Sequence, residues 1–366
     1  MNPTAPFCFV VLALLALNVR PCNAEEKPMM KPDYAKLQLK GNGHRQDSFV
    51  LAVQAAARLF GKETDYDTLT CLAGNAFAPF RNLKEDCTSH CQLEAVHSDR
   101  AMATVAGYVG LKARKLELPV CEGFDVKDAD RPAYLQKVAT LVREAMDAGE
   151  VVIVLQGWQV KGGPHGFTHW GYAGIATEAD SVTGKMLGAH LNGHKDNPIH
   201  HVAVMWAVAP GEVTLKSPAA EQVMLRQAVD YIRGRGLFAP REAAVYGLAA
   251  MDAWINHMQT VKGYCAPCYG RGQQSWHDAM ENGERLLRGA RIAAKKLRSI
   301  GPQYEAAAKH YDRISELLAP VKYQEDIGDL EKQKVHAETV LVPVKAELAA
   351  VAEEMEAVSR RFKSGP

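Results

Sequence analysis

The chain has 366 residues, 47% of them hydrophobic, and 43 Lys and Arg against 42 Asp and Glu leave a formal net charge of +1. That is enough apolar material for one or two buried cores, and so balanced a charge gives no electrostatic case for a nucleic-acid partner.

The first apolar run, Phe7 to Leu17, is too short to span a membrane comfortably. It leads through Pro21-Cys22-Asn23-Ala24 into the charged Glu25-Glu26-Lys27. This pattern predicts a secretory signal peptide over 1–24, cut after Ala24, and so a secreted or periplasmic protein. The segment before the apolar run lacks the usual positive charge, and Pro21 argues against cleavage at Cys22 as a lipoprotein. No later segment is apolar enough to span a membrane. Residues 25–40 read as a polar lead-in.

Phe49, Val50, Val53, Ala56, Ala57 and Phe60 recur at helical spacing, which predicts a first helix with Asp47 or Ser48 as its N-cap and Gly61 as its stop. Residues 66–80 read as turn-rich and are followed by a cysteine-bearing loop. A second helix is predicted over about 98–107. The period then changes: a strand at 113–118, a helix at 131–148, and strands at 151–156, 167–176, 185–191 and 200–208. Their short spacing and intervening turns suit an antiparallel sheet in an α+β domain. Past Pro210 the chain reads as helical, near 219–233, 240–258, 275–299, 302–318 and 324–362. The last of these carries Leu330, Val335, Val340, Leu341, Val344, Leu348, Val351, Met355 and Val358 at imperfect three-and-four spacing. That suits packing on neighbouring helices, a short coiled coil, or a helical partner, with Pro343 as a kink or break.

With the signal removed, Cys71, Cys87, Cys91, Cys121, Cys265 and Cys268 remain, and an oxidising compartment makes disulfides or other structural roles the leading expectation. The Cys265-Ala266-Pro267-Cys268 pair lies between helical stretches, outside the strand-turn-helix setting of a redox motif. Zinc would need Cys87, His90, Cys91 or His97 to meet Cys265 and Cys268 in space. His190, His194, His200 and His201 crowd one region but match no standard zinc spacing, so no metal and no cofactor is expected.

Two features carry chemistry. Asp47-Ser48 opens the first helix, where the positive end of the helix dipole favours a nucleophile, and His169 stands on a later strand ahead of Trp170-Gly171-Tyr172-Ala173-Gly174. With the second helix around Ala101–Leu111, this order resembles the papain-like superfamily, in particular the bacteriocin-processing (double-glycine) peptidases and the butirosin-biosynthesis acyltransferase type. The likeness covers about Gly41 to Ala209. In those families an Asp-Cys pair starts the first helix and a strand delivers His-Trp or His-Tyr.

The resemblance implies a papain-like α+β domain over 41–212, followed by an α-helical domain over 213–366 with a long C-terminal helix. It implies Ser48 in the nucleophile position, His169 as general base, and a residue of the following loop (Asn192, Asp196 or Asn197) orienting the imidazole. Asp180 is expected at a hairpin tip, and Gly162 to Gly166 as a rim or lid. Two positions depart from the family pattern. Ser48 replaces the Cys, and Asn42 stands about where an oxyanion-binding Gln belongs, its amide one methylene shorter; Gln46 is out of register. Ser48 also reads as a plain cap, Asn42 between two glycines as a plain turn, and His169 as a structural strand residue. A hydroxyl needs a far better base than a thiol, so the resemblance implies a catalytically impaired relative that binds a peptide or small amide-containing ligand. The alternative is an active amide hydrolase or acyltransferase using Ser48, or Cys87 as a displaced nucleophile, with His169.

Overall fold

The computed structural model describes residues 32, 34, 47–82, 99–118, 131–159, 168–179, 186–190, 201–235, 244–260, 274–321 and 329–363, all within the unit Lys31–Pro366. Helix α1 (Ser48–Leu59) begins where the Asp47 carboxylate caps its first free amides, and it stops before Gly61, whose φ of +71° is the left-handed conformation glycine adopts freely. Residues 49–57 are buried on every side. A helix apolar all round belongs inside a core, and α1 is such a helix.

The chain continues through α2 (Tyr66–Leu72), β1 (Phe80–Asn82), α3 (Asp99–Val109), β2 (Leu111–Lys115), α4 (Arg131–Asp147), β3 (Val151–Gln159), β4 (Thr168–Ala179), β5 (Met186–His190) and β6 (His201–Pro210). It ends with α5 (Ala219–Ile232), β7 (Ala244–Tyr246), α6 (Gly247–Thr260), α7 (Gln274–Ile300), α8 (Glu305–Leu318), α9 (Leu330–His336) and α10 (Val342–Lys363). The fold is α+β and mostly helical, with a small antiparallel sheet. Five strands lie in the order β2-β6-β3-β4-β5, antiparallel at every pairing.

Alternation along the strands sorts their side chains into two cores. Val152, Val154, Ala176, Met205 and Ala207 meet Tyr134, Val138, Val142 and Ala145 of α4. Val151, Ile153, Ile175, Trp206 and Val208 join a larger core with α1. The Trp206 ring meets Phe49 edge to face at 5.8 Å, and its indole N–H donates to Asp99 Oδ1 at 3.2 Å. The same large core continues into Tyr231, Tyr311, Leu341, Leu348 and Val351. The α+β segment and the helical segment therefore share one apolar interior. Tyr311 ties them further, its hydroxyl donating to the Phe77 carbonyl at 3.0 Å.

Several expectations need correction. The turn-rich stretch 66–80 contains α2, capped by Asp65, whose carboxylate accepts from the Thr68 amide and hydroxyl. Within the helix expected at 240–258, Ala244–Tyr246 are instead β7, paired with β1 in a two-stranded ladder, and α6 begins at Gly247. The strand expected at 113–118 starts two residues earlier and ends at Lys115. The long last helix is split into α9, a π-helical turn over Ala337–Leu341, and α10. Pro343 has no amide to donate and its ring crowds the preceding turn, and a wider turn just before it relieves both. Of the apolar stripe of this helix, Leu341, Val344, Leu348, Val351, Met355 and Val358 are buried within the chain, whereas Val335 is 57% exposed. Cys71 is a free thiol inside the core, with no disulfide partner. Among the described residues no helix is long and apolar enough to cross a membrane.

Candidate functional site

Asp47 sits in extended backbone just before α1 and is its N-cap: one carboxylate oxygen accepts from the Phe49 amide at 2.9 Å and the Val50 amide at 3.2 Å. The other oxygen accepts from the Asn75 side-chain amide. The Asp47 backbone N–H donates to the Tyr66 hydroxyl at 2.8 Å. Of the two cap candidates the structure thus assigns the role to Asp47, and Ser48 is the first residue of the helix proper.

A polar cluster surrounds this cap inside otherwise apolar packing. Burial raises the Asp47 carboxyl above its ordinary range, opposed by the Val50 and Phe49 amides and by the charges of Arg288 and Arg285. Burial also raises the Tyr66 hydroxyl, with the Asp47 charge adding to it, and it lowers Arg288, where Arg285 pushes the same way. An acid at the α1 cap, a phenol of α2 and two guanidinium groups of α7 therefore interact electrostatically at the start of α1. Of these, sequence reading found only Asp47. Asn75, Tyr66, Arg285 and Arg288 were missed because they lie on other elements; the one local hint was Asn75, a polar residue set in a turn among Ala73, Ala76 and Phe77, all of which are buried.

The cluster gives an ordered expectation for Asp47. Asp47→Ala removes the cap and strands its donors, and we expect a loss of about 1–2 kcal/mol in chemical denaturation. Asp47→Asn should lose clearly less, because Asn caps about as well and brings no charge to bury. With the Asn75 amide turned over, the new side-chain amide can donate to Asn75 Oδ1, which is now buried without a hydrogen-bond partner among the described residues, in place of the bond Asn75 donates to Asp47. Equal losses for the two variants would contradict this account of the cap.

His169 lies on β4, opposite Trp158 of β3. Helix α1 packs against both strands, so the fold brings the element that starts at Ser48 onto the hairpin that carries His169. The ladder slips by one residue between Leu155 and Gly157, so that Gly157 pairs with Trp170. Alternation is therefore out of step on the two sides of the slip, and a count by twos from Ile175 does not carry through to His169. Asn42, Cys87, Asp180, Asn192, Asp196 and Asn197 lie outside the described residues, as do Cys91, Cys121, Cys265 and Cys268, the Gly162 to Gly166 loop and the signal segment 1–24. Among the described residues no group of three or more His, Cys, Asp or Glu comes together as a metal site.

No protein-family model matches the chain, and no curated protein matches its sequence. The geometry stands alone.

A separate groove of about 880 Å³ runs between α5 and α10, floored by Leu225, Val229, Ile300, Tyr304 and Met355. Its rim acids are held within the chain: Glu356 by Arg233 at 3.2 Å and Arg235 at 3.5 Å, and Glu221 by the Ser217 hydroxyl at 3.0 Å. No residue of α1 or of the five-stranded sheet lines it.

Proposed function

We propose that the chain is an exported protein of papain-like fold, a catalytically impaired relative of peptidases and acyltransferases that binds a peptide or amide-containing ligand beside the start of α1. One observation carries the reading: Asp47 caps a helix buried over residues 49–57, which leaves Ser48 at its first position, and that helix packs on the hairpin bearing His169. In this reading Ser48 occupies the nucleophile position and His169 the base position. A residue of the 192–197 loop orients the imidazole, and Asn42 stands near the developing oxyanion.

The same chemistry explains the impairment. A serine hydroxyl ionises far above neutral pH and depends on a base placed within hydrogen-bond reach, whereas a thiol at a helix N-terminus ionises readily. An amide one methylene shorter than Gln stabilises an oxyanion poorly when it falls short of contact. The test is a turnover assay with the purified chain on peptide-amide and ester substrates. We expect turnover close to background, unchanged in Ser48→Ala and His169→Ala. Efficient turnover lost in both variants would replace this reading with an active serine hydrolase or acyltransferase; efficient turnover lost only in Cys87→Ala would assign a displaced nucleophile.

A further inference from the structure

The groove of about 880 Å³ between α5 and α10 shares no residue with the start of α1 or with the His169 hairpin, so a ligand there is independent of the papain-like reading. Helix α5 lines it from Pro218 to Asp230, about 18 Å of helix at 1.5 Å per residue. Gln222, Leu225 and Val229 recur at three- and four-residue steps and so share one face of α5, while α10 brings Met355 and Ser359 one turn apart on the other wall. Leu225 and Val229 are half-buried, whereas Gln222 and Arg226 on one lip and Ser359 and Arg360 on the other are exposed, so the groove opens to solvent.

The carboxylates of this groove are answered within the chain. Arg235 reaches Glu356 at 3.5 Å and Asp230 at 4.0 Å, and Arg233 holds Glu356 at 3.2 Å. Glu221 accepts from the Ser217 hydroxyl at 3.0 Å and stands in the first turn of α5, where the helix dipole favours an acid. Arg226 is different: it is exposed and makes no hydrogen bond or ion pair among the described residues. With Arg233 and Arg360 counted, four guanidinium groups meet three carboxylates. The lips therefore carry a surplus of positive charge over an apolar floor.

That combination selects the occupant. A drug-sized molecule in so open a groove keeps much of its surface in water, whereas ligand sites bury about 70–90% of it. A second copy of the chain docking through the same lips sets positive charge against positive. An amphipathic helix suits both features: its apolar stripe covers the floor over about three turns, and an acid beside the stripe meets Arg226. We propose that this groove is the docking site for an acidic amphipathic helix of a partner protein, seated on Leu225, Val229 and Met355 with a carboxylate against Arg226.

Fluorescence anisotropy of the full chain with labelled synthetic helical peptides tests the site. One peptide carries a Leu stripe at i, i+3, i+4 and i+7 flanked by Glu, the second has Lys for Glu, and the third has Ser for Leu. We expect the Glu peptide to bind about five-fold more tightly than the Lys peptide at low salt, and the Ser peptide not to bind. Arg226→Glu, at an exposed position, should reverse the order of the first two, and Val229→Asp should abolish binding of both. Equal binding of the Glu and Lys peptides, an order unchanged in Arg226→Glu, or no binding below about 1 mM would overturn the proposal. Sedimentation of the chain alone covers the second copy: a dimer that Val229→Asp dissociates assigns the groove to self-association and overturns it too. Should Val229→Asp fail to fold, the order of the two peptides in Arg226→Glu decides.

Discussion

Gly247→Ala should cost the protein a large part of its stability, roughly 3–5 kcal/mol, or prevent it from accumulating folded. Gly247 joins β7 to α6 with φ at +58°, a conformation that L side chains rarely take. A β-carbon built there would lie 2.1 Å from the Ile232 carbonyl oxygen and 2.4 Å from that of Tyr231, at the end of α5. These are backbone atoms of a packed helix, which cannot turn aside as a side-chain tip can. Gly247 is fixed from the other side as well, its N–H donating to the Pro79 carbonyl at 2.8 Å. The junction of α5, β7 and α6 thus closes on a residue with no side chain. Urea denaturation of the purified variant measures the effect. A loss below about 1 kcal/mol would mean that this junction is looser than the geometry requires.

Ser48→Cys should create a thiol that reacts with iodoacetamide at pH 7 at least about ten-fold faster than Cys71 does. The new thiol would stand at the first position of α1, where the helix dipole favours a thiolate, with Arg285 and Arg288 near the same cap and the Asp47 charge opposing them. Cys71 is an internal reference: it is fully buried, and burial pushes its thiol well above the ordinary range. Site-resolved mass spectrometry after timed labelling separates the two. If His169 is the base of this site, adding His169→Ala should slow labelling at position 48 and leave Cys71 unchanged. Labelling at position 48 as slow as at Cys71 would contradict an accessible nucleophile position at the start of α1.

How much of this was legible in the sequence depended on how local each cause was. Helix α1 announced itself through Asp47, its apolar spacing and Gly61, and α4 through Val138, Val142 and Ala145 at helical intervals. The strands from Val151 to Pro210 were readable because period-two alternation and turn residues are short-range signals. Helix α2 was not, because seven residues with two threonines and a tyrosine make a poor isolated helix. It is held by the Asp65 cap and by packing on α7, across a gap that the hydrogen bond from Lys296 to Thr68 bridges at 3.0 Å. The β1–β7 ladder, three residues a side, carries no local signal either, since Phe80 and Tyr246 meet only when the chain is folded.

The site divides along the same line. That the polar pair Asp47-Ser48 opens α1 was readable, but whether Asp47 or Ser48 caps the helix depended on backbone angles and on two hydrogen bonds. The charge environment of the cap was not readable, because Asn75 and Arg288 reach it from α2's following turn and from α7. Nor was the slip in the β3–β4 ladder, since one extra residue leaves composition and alternation almost unchanged while it moves everything beyond it. That slip falls between Ile175 and His169, the stretch on which the proposed dyad depends.

The separation of the Ser48 hydroxyl from the His169 imidazole, read from a crystal structure of the full chain, tests the central claim most directly. The account predicts both side chains at one cleft, the hydroxyl within about 3 Å of a ring nitrogen or somewhat further without a ligand. Side chains on opposite faces of the sheet would contradict it, and with it both the impaired and the active forms of the papain-like reading that rely on Ser48.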